Sequence, residues 1–338
     1  MATKKILLLV IVIVLGLFML NTASAIANVT DCTNLSTANE YYTLNVSINS
    51  WGTDCISIDN SNITLDCKGY TIGYGGAAGN YRGIDNEAGH NNITIKNCVI
   101  IQNSTGAGAP GPDQDAISFA DNVHSYIYNN TITTYLSSKA IRFDTSNITN
   151  ITLNTINTTG ENGTAIILHN TTGVVYSNNI TTEERMGYGI YLGSSKNVNI
   201  TSNIINTSGS LGVGIYSYSS NTIRIINNTI NTYNDYGDGI YLSIAAHNQI
   251  IDNTFNTSKG FGIWIYAANK THYNHTVQSN TEQGDNIYYL FGNKSALISS
   301  VTAGQIIAAF TYNTTFNNIT ADKDGIMLLS TDNVTVQN

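Results

Sequence analysis

Two sets of side chains in this sequence have the types and spacing to do chemistry. The first is charged. Asp113 and Asp115 follow GAGAPGP, the loop that holds both prolines, Pro110 and Pro112, and Lys139, Arg142 and Asp144 come on the next stretch. Carboxylates beside Lys or Arg can serve as acid and base in cleaving an acidic polysaccharide. The same residues also make an ordinary surface ion-pair cluster, which stabilises weakly. The second set is aromatic. Tyr191, Tyr216, Tyr241, Trp264 and Tyr288 follow one another at intervals of 25, 25, 23 and 24 residues, and all but the last have a glycine two positions earlier. Rings in one column beside a glycine track would form a platform for the apolar C–H faces of sugars. They would equally stabilise a sheet surface by pairing with each other, or bury against another chain.

The remaining chemical candidates are thinner. Asp235 and Asp238 in NDYGDGI form an acidic pair with no basic residue nearby in sequence. His90, His124, His169, His247, His272 and His275 fall at unrelated positions and read as solvated loop residues. HYNH at His272–His275 is the nearest approach to a metal pair, but a closed site needs more ligands. No cofactor is expected, and no motif speaks for calcium. Without Lys4 and Lys5 the chain keeps 12 basic against 22 acidic residues and no basic block, which excludes a nucleic-acid binder.

What must position these residues is a repeat. GIYL at Gly189 recurs as GIYS at Gly214, GIYL at Gly239 and GIWI at Gly262, with looser copies on both sides. The equivalent isoleucines are Ile84, Ile117, Ile141, Ile166, Ile190, Ile215, Ile240, Ile263 and Ile287, with an earlier copy at Ile56 and a later one at Ile326. Asn130, Asn154, Asn178, Asn203, Asn228 and Asn253 recur 24 or 25 residues apart in the same phase. Such a period means a solenoid, a propeller or an array. Ile190 and Leu192, then Val198 and Ile200, alternate with polar residues or glycine, as strands do. Three short strands fit one unit, and a propeller blade would need about 40 residues. The fold expected is all-β: a single right-handed parallel β-helix of about ten coils with an N-terminal cap.

Coils stack about 4.8 Å apart, so an Asn at a fixed position can bond its own counterpart and form an amide ladder. Cys67 and Cys98 fall within one residue of the same register on successive coils, close enough to bridge. The expected disulfides are Cys67–Cys98 and, by elimination, Cys32–Cys55, in keeping with an even cysteine count in an exported chain.

The repeats SSKNVNITSNIINTS and SNTIRIINNTINTY, with the opening DCTNLSTANEYYTL and GTDCISIDNSNITLDCKGYTI, resemble the NosD-like right-handed β-helix sequences, also called carbohydrate-binding and sugar-hydrolase domains, of exported and often archaeal proteins. That resemblance covers roughly residues 31–338 and implies the fold; its members include lyases, hydrolases, epimerases and non-catalytic surface proteins. Polygalacturonase-like β-helices carry Asn-Thr-Asp, then paired aspartates, then Gly-His-Gly. Here DQDAI is followed by SSKAI and NGTAI, so that hydrolase chemistry is not expected.

Lys4 and Lys5, the apolar run Ile6–Leu20 and ASA at Ala23–Ala25 read as a secretory signal over residues 1–25, with an uncleaved anchor as the alternative. The expected order is then a cap over 26–55, coils over 56–293, and an irregular excursion with a last partial coil over 294–338. That last coil implies a protein partner or further chain, since solenoids need capped ends. The sequence holds 23 Asn-x-Ser/Thr sequons; Asn206, Asn256 and Asn274 are expected at turns and open to glycosylation. The reading that results is a secreted or cell-surface protein, non-catalytic, that binds polysaccharide or a surface partner along Tyr191, Tyr216, Tyr241, Trp264 and Tyr288. The alternative is a lyase or glycoside hydrolase working through Asp115, Lys139, Arg142 and Asp144. A NosD-like metal accessory role has little residue support.

Overall fold

Ile190, Leu192, Val198, Ile200 and Ile205 are fully buried, and most of the residues between them are partly exposed. That period of two, broken twice by turns, makes three short strands per unit: Ile190–Gly193, Val198–Thr201 and Ile204–Thr207. A computed structural model describes residues 26–76, 79–103, 114–233, 235–321 and 323–337. The segment read as a signal sequence, Asp113 and both prolines lie outside the described residues.

Each strand pairs in parallel with its counterpart one unit later, as Ile166 with Ile190 and Ile190 with Ile215. The result is a parallel β-solenoid of about 12 turns with three faces, formed by sheets of 11, 10 and 15 strands. Its bore is filled by columns of aliphatic and phenylalanine side chains. Among the described residues helix is confined to one 3-10 turn, Lys270–Tyr273.

The asparagines build one corner of the bore. Asn130, Asn154, Asn178, Asn203, Asn228, Asn253 and Asn280 are buried in one column. The Nδ2 of each donates to the Oδ1 of the next at 2.9–3.0 Å. The residue before each is left-handed, from Asn129 and Leu153 to Ser279, and this makes the sharp bend that turns the amide inward. A second buried ladder, not expected from the repeat, runs through Ser195, Ser220, Asn248 and His275: Ser195 N–H donates to Ser220 Oγ, and Asn248 N–H to His275 Nδ1.

Both disulfides, Cys32–Cys55 and Cys67–Cys98, are present. The second sits at the head of the asparagine ladder, where Cys98 N–H donates to Asn130 Oδ1 at 2.9 Å.

Within residues 26–55, Ile26–Val29, Thr33–Leu35 and Ile48–Asn49 already pair into the three sheets. At the other end Gln283 and Gly284, with φ of 51° and 93°, form a two-residue hairpin turn. Two successive positive φ angles are what a type I′ turn requires. Asp285–Phe291 therefore runs back antiparallel along Thr281–Glu282 and leaves the coil. The long strands Leu297–Ala309 and Tyr312–Ala321 follow, and Ile326 pairs with Ile306 rather than entering the isoleucine column.

This excursion closes the ten-stranded sheet with side chains. Gln305 accepts from Ile263 N–H and donates to its carbonyl, and Asp324 accepts from Gly262 N–H at 2.9 Å. At the start of the last strand of that sheet, Ile263–Tyr266, the backbone groups of Ile263 and the Gly262 N–H are thus satisfied without a further strand.

Candidate functional site

Of the residues singled out for chemistry, the strands of the ten-stranded sheet carry Arg142, Asp144, Tyr191, Tyr216, Tyr241 and Trp264; Asp115 and Lys139 stand two residues before its strands, and Tyr288 is elsewhere. One outward column runs Asp85, Ser118, Arg142, Ile167, Tyr191, Tyr216, Tyr241 and Trp264, in register from strand to strand. The charged cluster and the aromatic run are two halves of one stripe. Tyr288 is absent from it because the hairpin at Gln283–Gly284 carries its strand into the 15-stranded sheet.

The rings pack on one another. Tyr216 and Tyr241 stack face to face at 4.9 Å and 7°, and Tyr191 meets Tyr216 edge-on at 5.5 Å. The expected glycine track does not exist. Gly189, Gly214, Gly239 and Gly262 are buried, and a Cβ at Gly189 would strike Ile205 at 2.4 Å. These glycines let the chain enter the sheet against an aliphatic column, and they face the bore.

What lies beside the rings is a groove of about 450 Å³ built by the corner turns. Two further columns form it, two and four residues before the repeat isoleucine. The nearer column is Tyr188, Val213, Asp238 and Phe261; the farther one begins Met186, Leu211 and Tyr236. Tyr241 and Trp264 close the other side, and Phe261 lies 4.8 Å from Trp264. Met186, Leu211 and Tyr236 all have φ between 56° and 60°. A bulky residue in the left-handed region is unusual; here it turns large side chains outward along the rim, and Tyr236 is 75% exposed. The sequence signal for these columns is the same repeat read two and four places earlier.

Asp238 lies in this apolar wall. Its Oδ1 accepts from Phe261 N–H at 2.9 Å, and burial raises its pKa to about 6. Asp235 does have a basic partner, one coil on: Lys259 Nζ is 2.5 Å from its Oδ1. Asp324, which holds the neighbouring Gly262 N–H, is also raised by burial to about 6. Burial likewise raises Tyr188, Tyr191 and Tyr241.

Up the same face, Arg142 Nε donates to Asp144 Oδ2 at 2.6 Å, and its guanidinium lies 3.8 Å from the buried Asp115. Lys139 stands at the corner before that strand; its backbone N–H donates to Asp115 Oδ1 and its ammonium to the Ser137 carbonyl. His169 joins the cluster. It lies on strand Ile166–His169, in register with Asp144, with Nδ1 3.3 Å from Asp144 Oδ1 and its side chain 53% exposed. The reading of every histidine as a loop residue fails here, and the signal was its position three residues after the repeat isoleucine, the same as Asp144. Next along are Arg82, bound to Asp85 and Glu87, and Ser118, which donates to Glu87.

HYNH is structural. His275 is buried, its Nδ1 accepts from Asn248 and its Nε2 meets the His272 carbonyl at 2.8 Å. Burial lowers its pKa to about 4. Both ring nitrogens are committed, so this imidazole is no metal ligand. Among the described residues no group of three or more His, Cys, Asp or Glu could hold a metal ion.

The sequons divide by geometry. Asn206 and Asn256 lie on strands, linked through Asn231 by 2.7 Å amide bonds, rather than at turns. Asn274 does close a turn, is exposed, and contacts His247. No ladder asparagine from Asn130 to Asn253 is a sequon, because the residue two places on is an inward aliphatic or Phe255.

The family described as the right handed beta helix region matches residues 139–295. Solved structures are similar to this chain at low identity. The Dettilon tailspike protein gp208 is 14% identical with a TM-score of 0.49, covering 90% of this chain, which spans 61% of the tailspike. The mannuronan C-5 epimerase AlgE4 A-module of Azotobacter vinelandii is 11% identical, TM-score 0.43, with coverage of 93% and 87%. The surface protein and adhesin PfbA of Streptococcus pneumoniae is 14% identical, TM-score 0.37, with coverage of 93% and 90%. No curated protein matches the chain.

Proposed function

We propose that this chain is an exported β-helix protein that binds polysaccharide in the groove beside its aromatic column. The observation that carries the reading is the groove itself. Tyr188, Tyr236, Tyr241, Phe261 and Trp264 line one open, elongated depression that crosses several coils. Open clefts with aromatic walls are what ligand sites are made of, and an elongated chain laid along the solenoid axis would meet the same wall on each coil. Tyr216 stacks on Tyr241 and Tyr191 packs against Tyr216, so within the outward column the rings offered to a ligand are Tyr241 and Trp264, which line the groove. Two disulfides fit an oxidising compartment.

The test is a glycan array probed with the wild-type chain and with Tyr236→Ala/Trp264→Ala. Expected is binding that falls at least ~10-fold in the variant, the equivalent of ~1.4 kcal/mol. Binding unchanged in a variant that melts normally would remove the groove from the reading.

A second reading has its own observation, the Asp144–His169 contact beside Arg142. A carboxylate 3.3 Å from Nδ1 favours the tautomer whose Nε2 is the proton acceptor, and a guanidinium lies alongside. That arrangement suits cleavage of an acidic polysaccharide by proton abstraction. Release of unsaturated oligosaccharides, lost in His169→Ala and in Arg142→Ala, would favour the enzyme; no turnover on any uronate polymer would remove it.

A further inference from the structure

The groove has a charge character as well as an apolar one. Among the described residues that line it, the one acid is Asp238 and the one base is Lys259, an exposed ammonium already bound to Asp235 at the rim. We propose that the groove selects glycans carrying a protonated amino sugar, with the ammonium group held by Asp238 among the rings of Tyr188, Tyr241, Phe261 and Trp264. The inference rests on the glycan-binding reading and names the substrate class within it.

Three observations support it. First, rings and a carboxylate converge. A cation over an aromatic face gains about 0.5–2 kcal/mol depending on desolvation, and here a carboxylate lies among four such rings. Second, Asp238 is fixed by the Phe261 N–H it accepts, so it needs no rearrangement to meet a ligand. Burial makes its carboxylate costly when alone, and an ammonium would relieve that cost. Third, the cations near the groove are already committed to carboxylates. Asp324 lies beyond Gly262 and interacts with Asp238, Glu282 is paired with Lys323, and Asp235 with Lys259. The chain as a whole has a net charge of −8. A uronate in the groove would face Asp238 with no uncommitted cation beside it.

The test uses the whole secreted chain and three soluble hexasaccharides at about pH 6.5: glucosamine, N-acetylglucosamine and galacturonate oligomers. By titration calorimetry the glucosamine hexamer is expected to bind about 10-fold or more tighter than the N-acetylated one, which has the same ring without the charge. Galacturonate is expected not to bind the groove. Asp238→Asn should bring the first two within about 3-fold of each other, and Trp264→Ala should weaken both. Equal or better binding of the N-acetylated or galacturonate hexamer, lost in Trp264→Ala, overturns the amino-sugar assignment and leaves the glycan groove standing. Absence of binding by all glycans overturns both. The wild-type preference decides the matter even where Asp238→Asn folds poorly.

Discussion

Asn203 Oδ1 accepts two hydrogen bonds from Asn178, one from its backbone N–H at 2.9 Å and one from its side-chain amide at 3.0 Å. Each rung of the ladder therefore satisfies two donors of the coil before it, and Asn203 Nδ2 adds a bond to the Val175 carbonyl. All of these groups are out of reach of water.

Asn203→Ala should accordingly destabilise far more than its small volume change suggests. It leaves the buried Asn178 N–H unpaired, takes one of three acceptors from the Asn178 side-chain amide, and removes the bond to the Val175 carbonyl; each buried group left without a partner costs about 1–3 kcal/mol. The expected loss is about 3 kcal/mol in urea denaturation. Asn231→Ala, which breaks the outward amide chain between Asn206 and Asn256, should cost under ~1 kcal/mol because water can replace its partners. Equal losses for the two would show that the buried ladder contributes nothing special.

The disulfides should differ in access. Cys67 and Cys98 are both buried, whereas Cys32 is partly exposed. Mild reductant should open Cys32–Cys55 in the native state and leave Cys67–Cys98 intact until the coil unfolds. Removing the second by Cys67→Ser/Cys98→Ser frees a 31-residue separation, worth about 3–4 kcal/mol on a chain-entropy estimate. Alkylation of native protein followed by peptide mapping checks the order.

The fold was legible because the repeat is nearly exact in length: Ile190, Asn203 and Tyr191 recur with their neighbours, and stacking follows from period alone. Cys67–Cys98 was legible for the same reason. The site was half legible. Tyr191, Tyr216, Tyr241 and Trp264 fell in register as the spacing required, yet Tyr288 did not, because a two-residue turn overrides a repeat. His169 and Asp144 share a repeat position, but a contact between different residue types on adjacent coils leaves no self-similarity to find. The groove walls were missed because Met186, Leu211 and Tyr236 alternate in chemistry while sharing only a backbone conformation. Glycines were misplaced outward because alternation alone cannot say that a chain is still turning when it reaches Gly189.

His275 contributes a stability that is lost in acid. Its pKa falls from 6.5 unfolded to about 4 folded, through burial first and the nearby His247 and His272 charges after it. Below pH 6.5 the unfolded chain takes up a proton that the folded chain refuses, so the stability this group contributes is complete above that value and is lost as pH falls toward 4. The size is about 3 kcal/mol. Asp238 and Asp324 act in the opposite direction over a similar range: their raised values favour the folded state at low pH and weaken it as pH rises through about 6. His275→Asn would keep an acceptor for Asn248 N–H and remove the imidazole. It should flatten the acid limb of a plot of melting temperature against pH; an unchanged limb would assign the sensitivity elsewhere.

Glu282 replaces an aliphatic residue in the bore. It is in register with Phe255, at the end of a column that contains Ile156, Ile180, Ile205 and Ile230, and it is fully buried. Its Oε1 accepts from the Thr257 hydroxyl at 2.6 Å and the Thr257 N–H at 3.1 Å, and Lys323 reaches it at 3.3 Å from the far side of the excursion. A charge in a core position is tolerated only with its partner, and removing one member of a buried pair costs about 3–5 kcal/mol. Lys323→Met should therefore destabilise by about 3 kcal/mol and loosen the excursion that closes the ten-stranded sheet through Gln305 and Asp324. Adding Glu282→Gln keeps the Thr257 bonds and removes the orphaned charge, so the double variant should recover most of the loss. Hydrogen exchange at Gly262 and Ile263 reports the closure directly, because their amides are held by Asp324 and Gln305. Protection at both amides that survives Lys323→Met would mean that the closing segment is held by its own apolar contacts, around Ala303, Ile306 and Phe316, rather than by the buried pair.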